Sequence, residues 1–124
     1  MHIHESAENY LETIYVLSQR LPSVRSIDIA TELNFSKPSV SVAMKNLREN
    51  DYINVDESGR IVLTEQGLAV AMTMYERHTI LAQWLIQMGV SKETALEDAC
   101  RIEHVISAES FDALKRHAEG AQQK

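Results

Sequence analysis

Cys100, Glu103 and His104 stand at positions i, i+3 and i+4, the spacing that gathers side chains on one face of a helix within a single turn. They offer a thiol, a carboxylate and an imidazole. A mixed sulfur, oxygen and nitrogen set suits a first-row transition ion, because calcium takes oxygens only and a structural zinc site usually has more sulfur. The competing arrangement for these residue types is a buried thiol packed as a small apolar group beside a solvated Glu-His pair. A small metal-dependent hydrolase would need a general base besides its ligands, and this cluster leaves none to spare. No enzyme and no catalytic residue is expected.

Other residues extend the donor set. His78 falls on the apolar side of a long helical pattern, where a neutral imidazole can also simply hydrogen-bond inside a core. Glu12 lies in the first helical pattern, with Asn9 one turn before it. His2 and His4 precede the first regular helix and are left out of the site as part of a chain end.

Amphipathic spacing defines the elements that must position these groups. Ala7, Tyr10, Leu11, Ile14, Tyr15 and Leu17 mark a first helix ending before Leu21-Pro22. Ser26 can cap a short helix with Ile27, Ala30 and Leu33 facing inward. Asn34-Phe35 makes a turn, and Ser36 caps a following helix that tolerates Pro38 in its first turn. Tyr52, Ile53 and Val55, a polar tip Asp56-Glu57-Ser58-Gly59, and Arg60-Ile61-Val62-Leu63 read as a β-hairpin. Thr64 starts a long helix with Ala71, Met74, Tyr75, His78, Leu81 and Leu85 on its apolar side, stopping at Gly89. Ser91 caps another helix through about Ser107, and Phe111 and Leu114 mark a last, short one. This order predicts a mainly α protein: a winged helix-turn-helix DNA-binding domain over residues 1–63, then an all-helical metal-binding and dimerisation domain over residues 64–124.

The helix capped by Ser36 buries Val40, Ala43, Met44 and Leu47 on one side of a helical wheel. Its other side carries Pro38, Ser39, Ser41, Val42, Lys45 and Asn46, flanked by Lys37 and Arg48. Hydroxyls, an amide, cations and one apolar contact are the groups that read base edges and grip phosphates. Ser36, Lys37, Pro38, Ser39, Ser41, Val42, Lys45 and Arg48 are therefore candidate DNA contacts, and Arg25 and Arg60 could add phosphate contacts. A solvated helix face with three cations is the plainer alternative.

Overall charge argues the other way. The 124 residues carry a formal charge of −6, which disfavours phosphate binding. Residues 33–48 nevertheless hold Lys37, Lys45 and Arg48 and no acid, so the local sign is inverted. With 44% hydrophobic residues, 4 Gly and 2 Pro, a packed core is expected rather than disorder. The single cysteine excludes an intramolecular disulfide and fits a reducing compartment. Residues 1–12 lack the apolar run of a signal peptide, and a cytoplasmic location is expected.

Glu8-Asn9-Tyr10-Leu11-Glu12, Ser36-Lys37-Pro38-Ser39-Val40-Ser41, Leu63-Thr64-Glu65-Gln66-Gly67, Arg77-His78 and Asp98-Ala99-Cys100-Arg101-Ile102-Glu103-His104 together resemble the metal-dependent transcriptional repressors related to the diphtheria toxin repressor and the manganese transport regulator. The resemblance covers nearly the whole chain. It implies a homodimer in which Glu12, His78, Cys100, Glu103 and His104 are metal ligands, with Asn9 in a ligand position, and the metal acting as co-repressor. Iron-tuned members tend to have Met where Asn9 stands and Cys at Cys100, whereas manganese-tuned members have Asp and Glu. This hybrid implies iron(II) first and manganese(II) next, since a thiolate favours iron, cobalt, nickel or zinc over manganese while Glu12 adds a hard oxygen. The second site of the toxin-repressor branch needs Glu and His where this chain has Ala82 and Leu96, and the SH3-like domain of some members is not expected.

The resulting expectation is a cytoplasmic, homodimeric repressor of metal homeostasis genes that binds palindromic operator DNA when loaded with iron(II) or manganese(II). Its rival is a winged-helix regulator sensing an organic ligand or thiol oxidation at Cys100.

Overall fold

The computed structural model describes residues 5–122. They form helices α1 (Glu5–Ser18), α2 (Ser26–Leu33) and α3 (Lys37–Glu49), strands β1 (Ile53–Val55) and β2 (Ile61–Leu63), and helices α4 (Glu65–Gln87), α5 (Lys92–Val105) and α6 (Ala108–Gln122). The chain makes two compact units, one ending at Thr73 and the other beginning at Met74, so that α4 starts in the first and ends in the second.

The first unit closes over Leu11, Ile14, Ile29, Val40, Met44, Leu47, Ile53 and Ile61, all buried. Between α2 and α3 the chain reverses at Asn34, whose φ of 57° is left-handed, a conformation Asn tolerates better than most residues. The Ser36 hydroxyl then accepts the Ser39 N–H at 3.3 Å, capping α3 with Pro38 in its first turn. Tyr10 meets Phe35 edge to face, 6.0 Å between centroids, and burial pushes its phenol pKa up.

The start of α2 differs from the sequence expectation. Arg25, not Ser26, occupies the cap position, and its N–H donates to the Asp28 carboxylate at 2.9 Å. Ile29 and Ala30 face inward, while Ile27 is 45% exposed. Ile27 and Ile29 stand about 200° apart on the helix wheel, so only one of them can face the core.

β1 and β2 pair antiparallel with Ile53 opposite Leu63 and Val55 opposite Ile61. Val24 adds an isolated bridge to Ile61, whose N–H donates to the Val24 carbonyl at 2.7 Å. The wing is thereby tied to the segment before α2. Gly67, in the first turn of α4, allows the closest approach: a Cβ there would lie 2.0 Å from the Tyr52 carbonyl oxygen.

In the second unit Leu81, Ala82, Ala99 and Phe111 are buried, with Ile80, Ile102, Ile106 and Leu114 packed around them. Gly89, at φ 104°, ends the turn after α4. The Ser91 hydroxyl accepts the Thr94 N–H and caps α5. Tyr75 is 44% exposed rather than inward, because the buried line of α4 runs through Met74, Leu81 and Ala82. The last helix is not short, spanning 15 residues in a sequence free of proline and rich in helix-forming Ala.

Candidate metal centre and nucleic-acid interface

The buried residues of α5 are Ala95, Ala99 and Glu103, spaced by four and thus one above another on a helix face. Two alanines let the helix approach its neighbours closely, and the same line ends in a carboxylate that is 0% exposed. Burying an anion costs several kcal/mol unless a cation or strong donors compensate it. Cys100, one residue off the line, is exposed. The alternative of a buried thiol beside a solvated Glu-His pair is inverted.

One donor atom each from Cys100, Glu103 and His104 lies within 4.8 Å of the others. The His104 side chain is 2% exposed, and its Nε2 is 3.3 Å from Glu103 Oε1. His78, from α4, brings Nδ1 to 3.1 Å from Glu103 Oε2 and is itself 26% exposed. Each contact sets an imidazole nitrogen beside a carboxylate oxygen. Cys100, Glu103 and His104 fit a transition ion, offering one sulfur, one carboxylate oxygen and one imidazole, and His78 stands at the other oxygen of Glu103. Glu12 lies on α1 in the first unit and is 8% exposed. Asn9, partly buried, accepts the Thr13 hydroxyl on its backbone carbonyl at 2.8 Å.

On α3, Lys37, Pro38, Ser39, Ser41, Lys45 and Arg48 are exposed, and Val42 is 61% exposed. Val40, Met44 and Leu47 are buried on the opposite side. Ser36 is engaged at the helix start, where its hydroxyl also donates to Ser39 Oγ at 2.8 Å. Arg60 is exposed on the wing. Arg25 is exposed as well, but its guanidinium donates to the Ser58 carbonyl and so braces the wing tip.

Two contributors escaped the sequence reading. Asp56 accepts the N–H groups of Ser58 and Arg60, each at 2.9 Å, and the Ser58 hydroxyl at 2.7 Å. The Ser58 hydroxyl above all, helped by the Arg60 N–H, holds its carboxyl below the usual carboxylate range. The Asp-x-Ser-Gly run was the available signal for that turn. Arg77, the other, stood in the sequence only as the neighbour of His78.

A helix-turn-helix with a wing, followed by a helical unit carrying a buried Glu-His cluster, defines a DNA-binding regulator with a built-in metal-binding unit. The family model described as "Iron dependent repressor, N-terminal DNA binding domain" matches residues 2–60, and that described as "Iron dependent repressor, metal binding and dimerisation domain" matches residues 64–123. The chain belongs to the iron-dependent repressor family of metal-dependent transcriptional repressors. It is 33% identical over 114 residues to the transcriptional regulator MntR of Escherichia coli O157:H7, covering 92% of this chain and 74% of that one. Identity to an uncharacterized HTH-type transcriptional regulator of Methanocaldococcus jannaschii is 31% over 113 residues, 90% of each chain. Among solved structures, the manganese regulator SloR superposes with a TM-score of 0.81 at 27% identity, over 96% of this chain and 55% of that chain. The metal-dependent regulator MtsR superposes at 0.84 and 25% identity, over 91% and 53%. The chain thus spans about half the length of these two structures. The relatives are transcriptional regulators, not enzymes.

Proposed function

We propose that the chain is a homodimeric, cytoplasmic repressor that binds palindromic operator DNA when loaded with iron(II) or manganese(II), and controls metal homeostasis genes. The observation that carries this reading is the fully buried Glu103 carboxylate faced by the His78 and His104 imidazoles with Cys100 beside it. These four residues are the proposed ligands, and Glu12 and Asn9 on α1 are the further ones the resemblance assigns. A bound cation would add positive charge at the buried Glu103 carboxylate. A thiolate donor favours iron(II) over manganese(II); similarity to the manganese regulator SloR supports manganese(II) as the next choice.

The outer face of α3 is the proposed major-groove reader. Ser39, Ser41, Val42, Lys45 and Pro38 reach the bases or backbone, with Ser36, Lys37, Arg48, Arg25 and Arg60 around them. Tyr75, Ile86, Met88 and Leu96 are large apolar residues left exposed on the second unit, which supports burial against a second copy. Among the described residues no helix is long and apolar enough to cross a membrane. Operator binding across metals at buffered free concentrations, under anaerobic conditions, tests function and cofactor together. Affinity that ignores removal and restoration of metal would sink the proposal.

A further inference from the structure

We infer that Arg77 is the positioning residue that sets the donor face of α5 before any cation arrives, an inference that rests on the metal-binding reading above. Its Nη1 donates to the carbonyls of Glu103 and Ile106, both at 3.1 Å. Glu103 sits in the last turn of α5, and Ile106 is the residue that ends it. The last carbonyls of a helix have no intrahelical donor and carry the negative end of its dipole, so a cation placed there both answers hydrogen bonds and is electrostatically favoured. The same guanidinium lies 5.5 Å from the ring centroid of Phe111, a buried residue of α6. One side chain of α4 therefore holds the end of α5 and the start of α6.

Two consecutive residues of α4 grip the same residue of α5 in different ways. Arg77 holds the main chain of Glu103, while His78 faces its carboxylate at 3.1 Å. A shift of the α5 end along α4 would change the His78 to Glu103 distance and the pitch of the turn bearing Cys100, Glu103 and His104. Partners that orient metal ligands without touching the metal contribute about 10- to 100-fold in affinity. Lysine keeps the charge but not the planar fork or the stacking on Phe111.

The test compares wild type, Arg77→Met, Arg77→Lys and Lys115→Met in the full chain. Lys115 makes an ion pair with Glu76 at 3.3 Å, so its loss also loosens α6 from α4 without touching α5. Readouts are cobalt(II) affinity by chelator competition, the visible spectrum of bound cobalt(II), and amide hydrogen exchange at the end of α5 in cation-free protein. Arg77→Met should bind cobalt(II) about 10- to 100-fold more weakly, with an altered spectrum and faster exchange. Arg77→Lys should lie between it and wild type, and Lys115→Met should match wild type. If Arg77→Met does not fold, Arg77→Lys carries the same comparison. Equal affinity and spectrum in wild type and the Arg77 variants, or an equal loss in Lys115→Met, overturns the inference. A wild type that takes up no cobalt(II) overturns the metal reading itself.

Discussion

Glu103→Gln separates two roles that the same burial permits, because they predict stability changes of opposite sign. Glu103 is 0% exposed and lies 3.1 and 3.3 Å from two imidazoles. If those imidazoles were protonated structural partners, deleting one side of a buried ion pair would cost about 3–5 kcal/mol. If the carboxylate is chiefly a cation ligand, the contacts it makes in the cation-free protein offset its burial only in part, and an amide of the same shape relieves the remainder by about 1–3 kcal/mol. A domain of this size shifts by roughly 4 °C per kcal/mol, so the two roles differ by on the order of 15 °C or more in melting temperature. The ligand role requires the cation-free variant to melt at or above wild type. It also requires that added cation, which at a hundred times its dissociation constant stabilises wild type by about 2.7 kcal/mol, leave the variant unmoved. Scanning calorimetry at neutral pH, with chelator and then with manganese(II) or anaerobic iron(II), measures both. A cation-free variant melting about 10 °C or more below wild type would refute the reasoning and make Glu103 a structural residue.

Cys100→Glu exchanges a soft donor for a hard one and should move activation from iron(II) toward manganese(II); operator-binding titrations with each metal check it, and unchanged selectivity counts against Cys100 as a ligand. Lys45→Ala, on the exposed side of α3, should weaken operator binding and reduce its salt slope by about 1. An unaltered slope removes Lys45 from the phosphate contacts. Gly67→Ala should destabilise the first unit by on the order of 2 kcal/mol or more, since its Cβ would sit 2.0 Å from the Tyr52 carbonyl oxygen. Urea unfolding measures this, and a neutral result would mean that α4 can move away from the wing.

Much of the fold is legible because it is local. The caps at Ser36 and Ser91, the left-handed turns at Asn34 and Gly89 and the wing with its register each leave a mark within a few residues. The Val24 to Ile61 bridge leaves none, since an isolated pairing has no period. The inward residue of α2 is ambiguous for a related reason: Ile27 and Ile29 are equally apolar, lie on nearly opposite sides of a helix too short for its period to choose between them, and are sorted by packing within the first unit.

For the candidate site, residue types and spacing alone put Cys100, Glu103 and His104 on one face, because i, i+3 and i+4 must share a helix face whatever surrounds the helix. They did not determine which donor is buried. By residue type the thiol is the better core group, yet close packing along Ala95 and Ala99 rotates α5 so that Glu103 is enclosed and Cys100 is exposed. Arg77 became a clamp only when the end of α5 was brought to it. Sequence determines what a local stretch of chain can present. Which face is dehydrated, and which carbonyl meets which cation, depends on the packing of helices distant in the chain, and that is where the chemistry of this protein was decided.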